Sequence, residues 1–334
     1  MTSPSARSGG RRALFAVATL VAVLLGTEIA LRLAGWPSTR VTQGPEGFTH
    51  GQVYWAEPAN QALVPHPHKE TGGSFGVSTD ANGLRAPVHA EQKPDGVYRI
   101  LALGCSTTFG WGVEDDETYP ARLETHLRAA GHPKVEVQNG GQPGYSSFQG
   151  LWLWDKVLAR YQPDLVLFGY IVQDSRRVAY SDLSQAVLQK NADFLKQNLL
   201  YRLHLYTGLK GLIDARRIET KEQGGRDAVY RVPPDAYVDN LRAFKARTDA
   251  AGADLALFGF PLEREGYTGE HRRILHAAAD VLKVPVYDPQ PEMERATASE
   301  TLYFPQDRGH ANAAGLDWIA RDLAKRLVAD RRVP

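Results

Sequence analysis

The chain has 334 residues, 43% of them apolar and 23% charged, with a formal net charge of +1. That balance is globular and carries no basic excess, which argues against a nucleic-acid partner. The single cysteine excludes an intrachain disulfide, no Cys/His cluster has zinc-ligand spacing, and neither a metal nor a cofactor is expected.

Arg7, Arg11 and Arg12 precede an apolar segment over 13–35. As a helix it would extend ~34 Å, against a bilayer core of ~30 Å. Glu28 and Arg32 interrupt its far end, where an i,i+4 pair near the interface lowers the cost of a charge. Trp36-Pro37 then fits an interfacial anchor and a helix stop. The rival is a cleaved signal peptide with its apolar region at 13–25, but no small-x-small cleavage site follows. The expectation is an uncleaved single-pass anchor in 1–36, N-terminus cytoplasmic, with the rest of the chain on the extracytoplasmic side of the cell membrane.

Residues 37–95 are rich in Gly, Pro, His and Asn and are expected to form an irregular juxtamembrane segment with a few short strands. Residues 74–85 alternate weakly, Asn82-Gly83 is a turn signal, and His66-Pro67-His68 reads as loop histidines rather than a metal pair. From Val97 the pattern changes. Short apolar runs at 99–103, 135–138, 165–169, 255–260 and 284–287 alternate with helix-like stretches at 119–130, 148–160, 234–251, 270–282 and 313–329. This is the βαβ rhythm of a parallel sheet covered on both faces, and it places an α/β domain at 96–334. Residues 182–230 break the rhythm and are expected to be a helical insertion. Within it, 194–205 is amphipathic at helical spacing, fitting a lid or packing helix or a helix lying on the membrane, and 219–226 is a charged, solvated loop.

Four segments carry chemistry. The run at 99–103 stops at Gly104-Cys105-Ser106, which puts a serine hydroxyl at the carboxyl edge of the sheet, where open α/β sheets hold their ligands. About two hundred residues later comes Asp307-Arg308-Gly309-His310, an acid three residues before a histidine and so about one turn away. Together they are a nucleophile, a base and an orienter for the base. Oxyanion donors could come from the glycine-rich turn Asn139-Gly140-Gly141-Gln142-Pro143-Gly144 or from Gln173-Asp174, where Asp174 could cap or brace the loop. Ser106 lacks a glycine two residues on, so the Gly-x-Ser-x-Gly elbow is absent.

Taken together these segments resemble the SGNH, or GDSL, hydrolase family, specifically its bacterial members tethered by one N-terminal membrane helix. Glu28-Ile29-Ala30-Leu31-Arg32-Leu33 and Asn82-Gly83-Leu84-Arg85 resemble the tethered members. The resemblance implies a flavodoxin-like three-layer α/β/α sandwich with a parallel sheet. It implies a triad of Ser106, His310 and Asp307, and an oxyanion hole of the Ser106 N–H, the Gly144 N–H and the Gln173 amide. Cys105 stands where many members have aspartate, and as a buried thiol it is expected to pack rather than react. Gln173 stands where the family has asparagine, with the amide kept but moved out by about 1.5 Å, one C–C bond. The implied function is a membrane-anchored serine esterase acting on a small-molecule or glycan ester, with O-acyl groups of an envelope glycan as the expected class. The alternatives are an O-acyltransferase using the same triad and a non-catalytic glycan-binding module on the same scaffold.

Overall fold

The computed structural model describes residues 5–36, 57–178, 180–190, 200–209, 212–213, 228–263 and 266–334. Of the segments singled out above, 37–56, 194–199 and 219–226 lie outside the described residues.

Helix α1 (Ser5–Leu33) contains a 24-residue stretch from Gly10 to Leu33, long and apolar enough to cross a membrane, with its large apolar side chains exposed. Its far end is tied to the insertion. Glu28 pairs with Arg32 at 2.8 Å and accepts the backbone N–H groups of His204 at 2.9 Å and Leu205 at 3.0 Å. These open the helical turns at 204–209, so the carboxylate caps a helix start from outside, where unpaired N–H groups favour an anion. Arg32 in turn donates to the carbonyl of Arg202 at 2.8 Å.

Strands β1 (Val64–His68) and β2 (Gly73–Val77) pair as an antiparallel hairpin. Arg85 holds it to the domain. The guanidinium is fully buried, and all five of its N–H groups are engaged, on Asp115 Oδ1 and on the carbonyls of Gly76, Phe109, Gly110 and Val113.

The domain proper runs β3 (Tyr98–Gly104), α2 (Ser106–Phe109), α3 (Tyr119–Ala129), β4 (Val135–Gly141), α4 (Ser147–Lys156) and β5 (Leu165–Phe168). It continues through β6 (Arg177–Val178), α5 (Asp182–Lys190) and β7 (Val229–Tyr230), then α6 (Pro234–Ala250), β8 (Asp254–Phe258), α7 (Gly269–Leu282) and β9 (Val286–Tyr287). Helix α8 (Gln290–Ala296), β10 (Tyr303–Phe304), β11 (Asp307–Ala311) and α9 (Ala313–Ala329) complete it.

Five strands form one parallel sheet in the order β4–β3–β5–β8–β9. The chain moves outward from β3 to β4, then reverses across β3 to β5 and onward. With right-handed crossovers, that reversal places α3 on one face and α4, α6 and α7 on the other. The packing agrees, since α3 contacts α9 while α4 and α7 both contact α6. Each apolar run expected from the sequence falls on a strand of this sheet, and the α/β class holds. The strands read as near-continuous apolar runs because both sheet faces are covered, as in β5 where all four residues are buried. The helix expected at 148–160 stops at Lys156 and gives way to a 3-10 turn, Leu158–Tyr161.

The insertion leaves and rejoins the domain through a two-stranded neck, β6 antiparallel to β7. The sheet reversal lies between β3 and β5, and the loops carrying Ser106 and Gln173 leave the carboxyl ends of these two strands. In an open α/β sheet that is where a binding crevice forms.

Candidate active site

Ser106 opens the short helix α2 directly after β3 and is 8% exposed. Strand β4 must come close here, because a Cβ on Gly141 would meet the backbone nitrogen of Phe109 at 2.3 Å. The Gln142 N–H donates to the Gly104 carbonyl at 3.1 Å and stitches the next turn to the serine strand. In that turn Gly144 has φ +76°, a left-handed conformation that other residues adopt only under strain. Cys105 is buried, with Sγ 3.3 Å from Thr107 Oγ1 and 4.0 Å from Ser106 Oγ.

Asp307 and His310 come from β11. The sequence spacing suggested one turn between them. Instead they lie on a short, irregular antiparallel hairpin with β10, whose register shifts between Tyr303 and Phe304. His310 Nε2 lies 2.8 Å from Ser106 Oγ, and His310 Nδ1 lies 2.6 Å from Asp307 Oδ2. A carboxylate on Nδ1 fixes the tautomer with the proton there, which leaves Nε2 to accept from the serine hydroxyl. Burial alone would raise the Asp307 carboxyl. Hydrogen bonds from His310, His68 and the Gly309 N–H outweigh it and hold the pKa below the usual carboxylate value, so Asp307 is an anion at neutral pH.

His68 belongs to no sequence-predicted site, yet it reaches this carboxylate. It lies in β1, not in a loop as expected, and is buried between the rings of Phe75 and Phe304. Its Nε2 stands 3.3 Å from Asp307 Oδ2, so one carboxylate oxygen serves two imidazoles. His68, Glu70 and Asp307 are the one set of three or more potential metal ligands that converge among the described residues. Asp307, the carboxylate that bonds His310, is a member of that set.

The second half of the site lies beyond β4 and β5. Asp174 is fully buried, and both its oxygens accept the Ser147 N–H at 3.0 and 3.1 Å, while the Ser147 hydroxyl also donates to it. It therefore braces the start of α4. Burial, with Asp182 adding to it, pushes its carboxyl up to about 7 despite the Ser147 bonds. Gln173 Oε1 accepts from Arg231 Nη1 at 2.9 Å, and the same nitrogen donates to the Gly144 carbonyl at 2.6 Å. The two segments proposed from sequence for the oxyanion are thus brought together on one guanidinium. Among the described residues no acceptor takes the N–H of Ser106, the N–H of Gly144 or Nε2 of Gln173. Three donors without internal partners, on the loops that leave the carboxyl ends of the adjacent strands β3, β4 and β5, are the kind of groups that could stabilise an oxyanion after attack on a carbonyl.

No protein-family model matches the chain, and no curated protein matches it by sequence. Among solved structures the chain is similar to Axe2, an acetylxylan esterase from Geobacillus stearothermophilus, at 16% identity and TM-score 0.46, over 69% of this chain and 94% of that one. It is also similar to LAE5, an alpha/beta hydrolase enzyme from the metagenome of Lake Arreo, Spain, at 17% identity and TM-score 0.46, over 70% and 94%. A third similar structure is TesA, at 18% identity and TM-score 0.46, over 69% and 98%.

Proposed function

We propose that this protein is a membrane-anchored serine esterase whose catalytic domain lies outside the cytoplasmic membrane. The observation that carries the reading is the relay from Ser106 Oγ through His310 to Asp307, at 2.8 and 2.6 Å. Ser106 Oγ attacks the ester carbonyl while its proton passes to His310 Nε2. The resulting oxyanion takes bonds from the Ser106 N–H, the Gly144 N–H and Gln173 Nε2. As the tetrahedral adduct collapses, the C–O bond to the alcohol breaks and His310 returns the proton to that oxygen. Water then attacks the acyl-serine, losing a proton to His310, and the acid leaves as Oγ is reprotonated. Asp307 remains ionised throughout and stabilises the imidazolium.

The insertion's bonds to Glu28 support retention of α1 as an anchor, since cleavage after it would remove the cap from the turns at 204–209. The arginines before the span support a cytoplasmic N-terminus. An O-acylated envelope glycan is the proposed substrate class, on the grounds of that location and of the family resemblance. The test is ester hydrolysis by the full chain in detergent, wild type against Ser106→Ala. A fall of at least about 10,000-fold is expected, with free acid as the product, and equal rates would overturn the reading.

A further inference from the structure

Arg231 follows the neck strand β7, one residue past the region over 182–230 that breaks the sheet rhythm. Its side chain is 12% exposed, and each of its five N–H groups has an acceptor. Nε and Nη2 bond the two oxygens of Asp182 at 3.0 and 2.8 Å, and Nη2 also bonds Gln149 Oε1 at 2.9 Å. Nη1 bonds the Gly144 carbonyl and Gln173 Oε1. No donor is left over for a substrate.

We infer that Arg231 is a positioning residue that sets both oxyanion donors other than the nucleophile's own N–H. The inference rests on the esterase reading above. A guanidinium has donors only, so the atom of Gln173 that faces it must be the amide oxygen. The amide is planar, and Nε2 is therefore turned to the opposite side with both protons unclaimed. The extra methylene of Gln173 adds a rotatable bond, and the bond to Arg231 removes the freedom that it introduces. On the other strand, Arg231 pins the carbonyl of Gly144, the residue with the freest backbone in the turn, and so fixes the conformation that aims its N–H.

Arg231 is itself located by the loop that it organises. Its N–H donates to the Arg176 carbonyl at 2.8 Å, its carbonyl accepts from the Asp182 N–H at 2.8 Å, and Val232 N–H reaches the Asp174 carbonyl at 3.3 Å. The cation behind the amide oxygen also polarises the amide and strengthens the Nε2 donors.

Arg231→Lys keeps the charge but cannot hold Gly144, Gln173 and Gln149 together. With a chromogenic aryl acetate, kcat should fall 10- to 100-fold while KM stays within about threefold and the melting temperature within a few degrees. In a Gln173→Ala background the same change should cost less than about threefold more, because one of its targets is gone. An equal further loss in that background, or wild-type kcat in Arg231→Lys, overturns the inference. Should Arg231→Lys fail to fold, Gln173→Glu decides. It keeps the contact as an ion pair, so melting should hold or rise while kcat falls at least tenfold for want of the donor. Wild-type kcat or a lowered melting temperature in Gln173→Glu overturns the inference. Covalent labelling of wild-type Ser106 by a fluorophosphonate separates the two levels: no labelling sinks the esterase reading, whereas labelling with unaffected Arg231 and Gln173 variants sinks this inference alone.

Discussion

The two sides of Ser106 are each organised by a guanidinium with all five donors engaged, yet they hold different kinds of partner. Arg85 binds four backbone carbonyls and Asp115. Arg231 binds one backbone carbonyl, two side-chain amides and a carboxylate. A bond to a carbonyl fixes where a chain runs, and a bond to a side-chain amide fixes which way a movable group points. The hairpin side is therefore built for stability, and the insertion side for orientation.

The largest test of this contrast is Arg85→Met. It removes a donor from four carbonyls and a carboxylate. The Phe109 carbonyl keeps Asn139 Nδ2, the Gly110 carbonyl keeps the Val113 N–H and Asp115 keeps the Ser78 N–H, so the full cost of about 1–3 kcal/mol per buried group falls on the Gly76 and Val113 carbonyls. We expect a loss of roughly 2–6 kcal/mol in urea unfolding, with activity failing only because the protein unfolds. A folded, inactive Arg85→Met would erase the contrast.

Asp174 provides a second, smaller test on the insertion side. Its folded pKa of about 7 lies above the unfolded value near 3.8, so the native state binds the extra proton between these values. By linkage, stability then falls as pH rises from about 4 to 7, with a slope of at most ~1.4 kcal/mol per pH unit. Asp174→Asn should flatten that slope in unfolding free energies measured at pH 4, 5.5 and 7. A slope unchanged by the substitution would mean that the carboxyl is ionised across the range.

The smallest effect is expected on the hairpin side, at His68. Its bond is one of those that hold the Asp307 carboxylate against His310, so in His68→Phe kcat/KM should fall about three- to tenfold through looser orientation of the imidazole. An unchanged kcat/KM would make His68 a packing residue like its aromatic neighbours.

Much of the fold was legible because buried parallel strands announce themselves as apolar runs ending in glycine, as at Leu103-Gly104. The Asp307/His310 spacing was legible for the same local reason, though the hairpin that joins them was not, since its bulged register depends on packing against α2 and α9. Arg231 and His68 gave no local signal. Arg231 reaches Gly144 across 87 residues and Gln173 across 58, and His68 reaches Asp307 across 239. Only pairing of distant segments brings them to the site, and that information lies in the topology rather than in any window of sequence.

The fork of bonds around Arg231 has a thermodynamic consequence for the encounter with substrate. A free glutamine side chain loses about 1.5–2 kcal/mol of rotamer entropy when it is immobilised. Here that loss is incurred when the chain folds, once per protein molecule. An ester arriving at Ser106 meets an amide already still, so the binding step does not have to supply that ordering on every turnover.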